Sequence, residues 1–303
     1  MNSSFILHPS SFSLGLTGFP LSHSLSPKIH NAALQACGLQ GDYSLFPVSP
    51  DNKQGLEDLL ARVRANEIQG LNVTIPHKQT VIPFLDELTP TAKAIGAVNT
   101  IYRRDNKLVG DNTDAPGFLF DLKKFLAQSP SPVLGKGLGV RGKSALIVGA
   151  GGTARAVVYA LLHDGWNVTL SARRLEQAEQ LARSFSNYYL PMTSFNDLQL
   201  STFDLIVNTT PLGMTPNIET SPLPDHIVLT AGTIVYDLVY NPRETKLMQQ
   251  AKAQGCRAVN GLGMLIEQAA LAFELWTGCT PPRQALWNAI DLITAHRSLI
   301  TDH

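Results

Sequence analysis

The sequence predicts an α/β protein made of two domains, and three observations support this. The chain has 303 residues, which at about 150 residues per domain favours two domains. Short apolar runs alternate with longer segments of helical spacing along most of the chain, a pattern typical of sheets covered by helices. A glycine-rich turn at 149–154 separates one apolar run from the helical segment that follows it.

The first domain is predicted as a small α/β unit that ends near Asp114. Ser26 and Pro27 are typical of an N-cap and a first helical residue, so a helix should run from there to a stop at Gly38. The remaining predicted elements, in chain order, are a strand at 14–18 before this helix, then a strand at 43–48, a helix at 52–65, an extended run at 70–76, a helix through 81–85, and hairpin strands at 97–101 and 107–109.

The second domain is predicted as a parallel sheet with crossover helices. A connecting helix at 116–127 and a Pro/Gly-rich surface loop at 129–142 lead into it. The predicted strands are 144–150, 166–171, 203–209 and 233–238, and the predicted helices are 153–164, 175–186 and 244–254. Two final helices, 263–277 and 283–293, have no strand left to pair with, so we expect them to pack back on the first domain.

Composition excludes several classes of protein. Lys and Arg number 24 and Asp and Glu number 24, so no overall positive field attracts a nucleic acid. No uncharged apolar run reaches the roughly 20 residues of a membrane-spanning helix. Residues 1 to about 12 are interpreted as a loose tail. The three cysteines, Cys37, Cys256 and Cys279, are too few and too scattered for a disulfide framework. A cytoplasmic protein is therefore expected.

The glycine cluster fits a dinucleotide-binding turn. Gly149, Gly151 and Ala154 match the G-x-G-x-x-A pattern between a strand and a helix. This pattern allows a tight turn and a close approach of the backbone to a pyrophosphate at the helix N-terminus. Where an NAD site usually has Asp or Glu, this chain has Arg173 and Arg174, whose guanidinium groups suit a 2′-phosphate. NADP is therefore predicted, although both arginines could instead be solvated residues at a helix start.

Polar residues stand at the predicted strand ends of the first domain. Ser22–Pro27, Asn72–Lys78, Gly96–Thr100 and Gly110–Asp114 are the segments that carry them. Ligands of open α/β sheets bind at such strand ends. Each residue also has a structural interpretation, since Ser26 could cap a helix and Asn99 could form a turn. Together they supply the hydroxyl, amide, ammonium and carboxylate groups that a polyhydroxylated small acid would require.

These segments resemble successive signatures of the shikimate dehydrogenase family, in order along the chain. The matching motifs are Gly18–Pro27, Asn72–Lys78, Gly96–Thr100, Gly110–Asp114, Gly149–Gly152 and Asn260–Leu265. The resemblance implies a reversible NADPH-dependent reduction of 3-dehydroshikimate to shikimate in the chorismate route to aromatic amino acids. It also implies a substrate-binding domain at 1–114 and 260–303, and a Rossmann-type NADP-binding domain at 115–259.

The resemblance also implies roles for individual residues. Lys78 and Asp114 would be the catalytic pair. The substrate would be bound by Ser24, Ser26, Thr74, Asn99, Tyr240 and Gln268. NADP would be contacted by Gly149, Ala150, Gly151, Gly152, Thr153, Ala172, Arg173, Arg174, Leu238 and Gly261. No metal is expected, because hydride transfer does not need one when a lysine handles the proton.

The chemistry of the reaction agrees with the role of Lys78. Hydride addition to a ketone leaves an alkoxide, so a general acid must lie within hydrogen-bonding distance of that oxygen. A nearby carboxylate such as Asp114 would orient the ammonium group and accept hydrogen bonds from substrate hydroxyls.

Two alternative functions remain open from the sequence. A quinate/shikimate dehydrogenase with broader substrate and NAD or NADP use would carry nearly the same motifs. A nucleotide-sensing relative without catalytic activity is disfavoured by the intact Lys78 and Asp114.

The sequence also leaves the oligomeric state and the strength of the NADP preference open. A homodimer is considered, since apolar helix faces fit either a core or a subunit interface. Ala172 and Gln177 depart from the family pattern, so the preference for NADP over NAD could be weaker than is usual in the family.

Overall fold

The computed structural model describes residues 10–128, 142–193, 203–225 and 227–298, and the chain divides into two units. The first unit contains the residues up to Lys93, Val98–Thr113, and those from Gln268 onward; the second contains Ala94–Ala97 and Asp114–Glu267. These bounds differ from the predicted domain limits at 94–97, at Asp114 and at 260–267. Most of the predicted tail, and the predicted loop apart from Gly142, lie outside the described residues.

A six-stranded sheet forms the centre of the first unit. Its strands are β1 (Phe12–Gly18), β2 (Gly41–Pro47), β3 (Gly70–Val73), β4 (Glu87–Leu88), β5 (Thr100–Arg104) and β6 (Lys107–Asp111). The order is β2-β1-β3-β5-β6-β4. Strand β1 is parallel to both neighbours, whereas β5 is antiparallel to β3 and β6. The predicted hairpin is confirmed, and its turn residues Asp105 and Asn106 have positive φ, a conformation that suits Asp and Asn.

Four helices accompany these strands. They are α1 (Ser26–Ala36), α2 (Lys53–Arg64), α3 (His77–Thr80) and α4 (Pro90–Ile95). The helix predicted at 52–65 is confirmed as α2, which buries an apolar stripe at Leu56, Leu59, Leu60 and Val63. The helix predicted through 81–85 is wrong: α3 ends at Thr80, and a short 3₁₀ turn follows at Ile82–Phe84. Pro83 lies within that turn and lacks the N–H that a continuing α-helix would use.

The second unit contains a five-stranded sheet in which every pairing is parallel, as predicted. Its strands are β7 (Ser144–Val148), β8 (Asn167–Ser171), β9 (Leu205–Asn208), β10 (Ile234–Asp237) and β11 (Arg257–Asn260), in the order β11-β10-β9-β7-β8. Its helices are α5 (Asp114–Ala127), α6 (Gly152–His163), α7 (Leu175–Ser184) and α8 (Lys246–Ala253). The connecting helix predicted at 116–127 is confirmed as α5, which packs into the core through the fully buried Phe118 and Leu122.

The C-terminal helices return to the first unit from Gln268 onward, as predicted. These are α9 (Leu262–Thr277) and α10 (Arg283–Ser298), and α10 packs against α1. A disulfide joins Cys37, at the end of α1, to Cys279, between α9 and α10. The prediction that the cysteines form no disulfide framework therefore missed this bridge. The two residues are 242 positions apart in the sequence, and spacing alone gave no reason to pair them.

Among the helices of the described ranges, none combines the length and apolar character that crossing a membrane requires.

A buried histidine gives the first unit a predicted pH dependence. His30, on α1, is fully buried and stacks on Tyr43 with ring centroids 4.2 Å apart. Burial lowers the pKa of His30 to about 3, and the nearby Asn72 side chain offsets only part of that effect. The folded protein thus keeps His30 neutral, whereas the unfolded chain binds a proton below about pH 6.5. Its contribution to stability is complete above that pH and is lost as the pH falls towards 3.

We expect this loss to be about 1 kcal/mol per pH unit within that window. The measurement is urea unfolding of the wild type and of His30→Phe, which keeps an aromatic ring and removes the titration, between about pH 7 and about pH 4.5. As the pH falls, the free energy of unfolding should decrease more steeply for the wild type. Parallel curves for the two proteins would show that His30 does not titrate in this way.

Candidate active site

In the first unit, the predicted substrate residue Ser24 lies in the loop after β1, and Ser26 lies at the start of α1. The backbone N–H of Ser26 donates to Ser24 Oγ over 3.2 Å. The prediction that Ser26 caps α1 is wrong, because Leu25 occupies the N-cap position and makes no side-chain cap. Ser26 is instead the first residue of the helix, with Pro27 after it. Its hydroxyl is therefore not used for capping, which leaves a substrate-binding role open to it.

Thr74 and Lys78 follow β3 on either side of a tight turn. The N–H of His77 donates to Thr74 O over 2.8 Å and so begins α3. His77 Nε2 lies 2.7 Å from the carbonyl oxygen of Val48, an acceptor, so this nitrogen carries the hydrogen. The Lys78 side chain is buried, with 9% of the residue exposed. His77, to which the sequence assigned no role, thus anchors the short helix that carries Lys78.

Asn99 and Gln268 are brought together in the first unit. Asn99 Nδ2 donates to Gln268 Oε1 over 3.2 Å and to Thr113 Oγ1 over 2.8 Å. Asn99 Oδ1 accepts from the N–H of Thr113 over 2.7 Å. These contacts fix the orientation of the Asn99 amide. Thr113 was not among the predicted site residues, although it stands next to Asp114 in one of the motifs that carried the family resemblance.

Asp114 is the first residue of α5, in the second unit, and its side chain is buried. The Asp114 side chain thus lies in the first turn of α5, where the backbone N–H groups of a helix have no partner within the helix.

The glycine turn of the second unit has the geometry that a dinucleotide-binding turn requires. Gly149 has φ +116°, and a Cβ there would collide with the side chain of Thr209. Its N–H donates to Ser171 O over 2.8 Å. Helix α6 begins at Gly152, and its N-cap Gly151 makes no side-chain cap. Glycine is therefore needed at this turn, and the backbone at the helix N-terminus can approach a pyrophosphate.

The remaining predicted cofactor residues follow three strands of the parallel sheet, β8 at one edge and the neighbours β10 and β11 at the other. Ala172 comes directly after β8, and Arg173 and Arg174 after it are exposed. Leu238 follows β10 and Gly261 follows β11, and a Cβ on Gly261 would collide with the backbone of Leu238. The two backbones thus approach closely at the carboxyl ends of adjacent parallel strands, where ligands of open α/β sheets bind. The half-buried Tyr240 lies in the same loop as Leu238.

A buried carboxylate that the sequence did not reveal organises these loops. Asp237, at the end of β10, accepts from Asn208 Nδ2 over 2.8 Å, from the N–H of Val239 over 3.0 Å and from Thr245 Oγ1 over 2.6 Å. Burial raises the pKa of Asp237, and the three donors act in the opposite direction. Asp237 therefore fixes the loop after β10, which carries Leu238 and Tyr240, and links it to the last residue of β9.

No group of three or more His, Cys, Asp or Glu side chains in the described part of the chain could hold a metal ion.

Three family models match the chain. The shikimate dehydrogenase substrate binding domain matches residues 16–101, shikimate / quinate 5-dehydrogenase matches residues 134–238, and the shikimate 5′-dehydrogenase C-terminal domain matches residues 261–290. The shikimate dehydrogenase (NADP(+)) of Carboxydothermus hydrogenoformans is 41% identical over 282 residues, which cover 92% of this chain and 96% of that protein. The chain belongs to the shikimate dehydrogenase family.

Other members of the shikimate dehydrogenase family agree with this assignment. The shikimate dehydrogenase (NADP(+)) of Salinibacter ruber is 44% identical, over 91% of this chain and 95% of that protein. The crystal structure of shikimate 5-dehydrogenase from Thermus thermophilus, in complex with NADP(H) and shikimate, matches with a TM-score of 0.79 and 36% identity. It covers 92% of this chain and 98% of that one. The predicted family and the predicted fold of two α/β domains with a Rossmann-type sheet are thus confirmed.

Proposed function

We propose that this chain catalyses the reversible NADPH-dependent reduction of 3-dehydroshikimate to shikimate, a step in the biosynthesis of aromatic amino acids through chorismate. The observation that carries this proposal is the pairing of Asn99 with Gln268 in the unit that also holds Ser24, Ser26 and Lys78. Relatives at 41% and 44% identity, over nearly their whole length, carry the name of this activity.

We propose the substrate-binding role for the first unit, with predicted limits 1–114 and 260–303. Ser24, Ser26, Thr74, Asn99 and Gln268 offer neutral hydrogen-bonding groups, as a polyhydroxylated carboxylate requires. Tyr240 completes the proposed substrate set. NADPH supplies the hydride when bound. Lys78 then donates a proton to the oxygen that becomes the new hydroxyl, while Asp114 accepts a hydrogen bond from a substrate hydroxyl.

The NADP-binding role is proposed for the second unit, with predicted limits 115–259 and with Gly261. The backbone from Gly149 to Thr153 would receive the pyrophosphate, because the turn can accept no side chain at its first glycine. Ala172 connects β8 to the two arginines, and Arg173 and Arg174 would bind the 2′-phosphate. Leu238 and Gly261 would also contact NADP.

The discriminating experiment is a set of initial-rate assays with shikimate and with quinate, each with NADP⁺ and with NAD⁺. We expect kcat/KM to be highest for shikimate with NADP⁺, by at least about tenfold, the size of one charge-assisted hydrogen bond. Higher values with quinate would favour the quinate/shikimate alternative, which the description of one matching family model also names. No turnover of either substrate would contradict the proposed function.

Two further expectations stay predictions. A homodimer would be tested by light scattering of the purified protein. A cytoplasmic location rested partly on the absence of disulfides, and the bridge between Cys37 and Cys279 removes that support, since disulfides are rare in reducing compartments.

A further inference from the structure

A chain of buried hydrogen bonds runs beneath the proposed substrate residues of the first unit. The Tyr43 hydroxyl, on β2, donates to Asn72 Oδ1, on β3, over 2.8 Å. Asn72 Nδ2 donates to the carbonyl oxygen of Asn99 over 3.1 Å. Tyr43 and Asn72 are only 4% and 5% exposed. Neither residue has a place in the function proposed above, so their burial calls for a separate explanation.

Tyr43 is held firmly by the helix that begins at Ser26. Its ring stacks on His30 with an angle of 1° between the ring planes, and its backbone N–H donates to Asn31 Oδ1 over 3.0 Å. Burial raises the pKa of Tyr43 well above its ordinary value, while a hydrogen bond with the Ser26 side chain acts in the opposite direction. The hydroxyl therefore stays protonated and can act as a permanent donor.

The orientation of the Asn72 amide follows from this donor. A protonated phenol that donates to one end of the amide selects the oxygen for that end. The NH₂ group must then face the opposite side, where the Asn99 carbonyl accepts from it. The same carbonyl also accepts from the N–H of Val73 over 2.8 Å. The backbone at Asn99 is thus fixed from β3 by two donors, one of which depends on Tyr43.

We propose that Tyr43 is a positioning residue for substrate binding, acting through Asn72 on Asn99. This inference rests on the proposed function, in which Asn99 contacts the substrate. Without the Tyr43 hydroxyl, Asn72 Oδ1 loses its donor in a buried site, which costs free energy. Rotation of the Asn72 amide would relieve that cost. Such a rotation would place an oxygen against the Asn99 carbonyl and displace Asn99 from its binding position.

The test is Tyr43→Phe, which removes one oxygen and keeps the ring that stacks on His30. We expect the KM and the Kd for shikimate to rise about tenfold, with kcat changed by less than about threefold, because Asn99 would bind substrate and transition state alike. The KM for NADP⁺ should stay within about twofold. Tyr102→Phe, which removes a hydroxyl from β5 of the same sheet, is the matched control and should leave all these constants unchanged.

A double-mutant cycle separates positioning from general stability. If Tyr43 acts through Asn72, adding Tyr43→Phe to Asn72→Leu should raise the Kd for shikimate much less than it does in the wild type. Full additivity would overturn the route through Asn72. Should Asn72→Leu fail to fold, the single variant still decides, since equal shikimate binding by Tyr43→Phe and the wild type would overturn the proposal.

Calorimetry of shikimate binding distinguishes this failure from a failure of the proposed function. A wild type that binds shikimate and oxidises it with NADP⁺, next to a Tyr43→Phe variant that does so equally well, would refute the positioning role alone. A wild type that neither binds nor oxidises shikimate would refute both proposals.

Discussion

Replacement of Lys78 by alanine is expected to lower kcat for 3-dehydroshikimate reduction by about 10²- to 10⁴-fold, the usual contribution of a general acid. The side chain is buried, and the helix that carries it is held in place by contacts that do not involve the ammonium group. The N–H of Val98 donates to Lys78 O over 2.7 Å, and His77 anchors the same turn to Val48. Removal of the ammonium group should therefore leave the backbone in place and the developing alkoxide without its proton donor.

The KM for the substrate should change by less than about threefold, because the loss falls on the transition state. Lys93→Ala, which removes an exposed lysine from α4 of the same chain, is the control and should retain full activity. Added methylamine should restore part of the activity of Lys78→Ala by supplying the missing acid. A kcat close to that of the wild type would show that another group protonates the product oxygen.

Replacement of both Arg173 and Arg174 by alanine is expected to raise the KM for NADP⁺ by about 10- to 100-fold, the effect of losing one charge-assisted hydrogen bond or more. The KM for NAD⁺ should change little, because NAD⁺ lacks the 2′-phosphate that these guanidinium groups would bind. Both side chains are exposed where the chain leaves β8 and enters α7. In the structure Arg174 is the N-cap residue of α7 and makes no side-chain cap.

The control for this pair is Arg183→Ala, near the other end of α7, where the side chain contacts Glu179 over 3.3 Å. An exposed ion pair of this kind contributes little to stability, so Arg183→Ala should leave both cofactor constants unchanged. Equal increases in the KM for NADP⁺ and for NAD⁺ in the double variant would mean that the arginines do not bind the 2′-phosphate.

The helices and strands of the fold were predictable because local sequence patterns determine them. The four apolar runs predicted in the second unit are the parallel strands β7 to β10, and the apolar stripe that begins at Leu56 is the buried face of α2. The glycine turn was predictable for the same reason, since the φ of Gly149 and its contact with Thr209 leave no space for a side chain. In each case the residue type and the spacing carry the information.

What the sequence could not reveal depends on partners far apart along the chain. The hydrogen bonds from Tyr43 to Asn72 and from Asn72 to Asn99 span 29 and 27 positions, and Asn208 reaches Asp237 across 29 positions. Local spacing does not pair such residues. The N-cap of α1 was misplaced by one residue for a related reason, because Ser26 fits a cap sequence but lies inside the helix.

The most direct test of the proposed reaction is to supply NADPH deuterated at the transferable position together with 3-dehydroshikimate, and to locate the label in the product by NMR. The proposed function predicts shikimate with one deuterium on the carbon that carried the ketone, and an unlabelled hydroxyl whose proton comes from the protein and water. Consumption of NADPH without deuterium on that carbon, or no formation of shikimate, would contradict it.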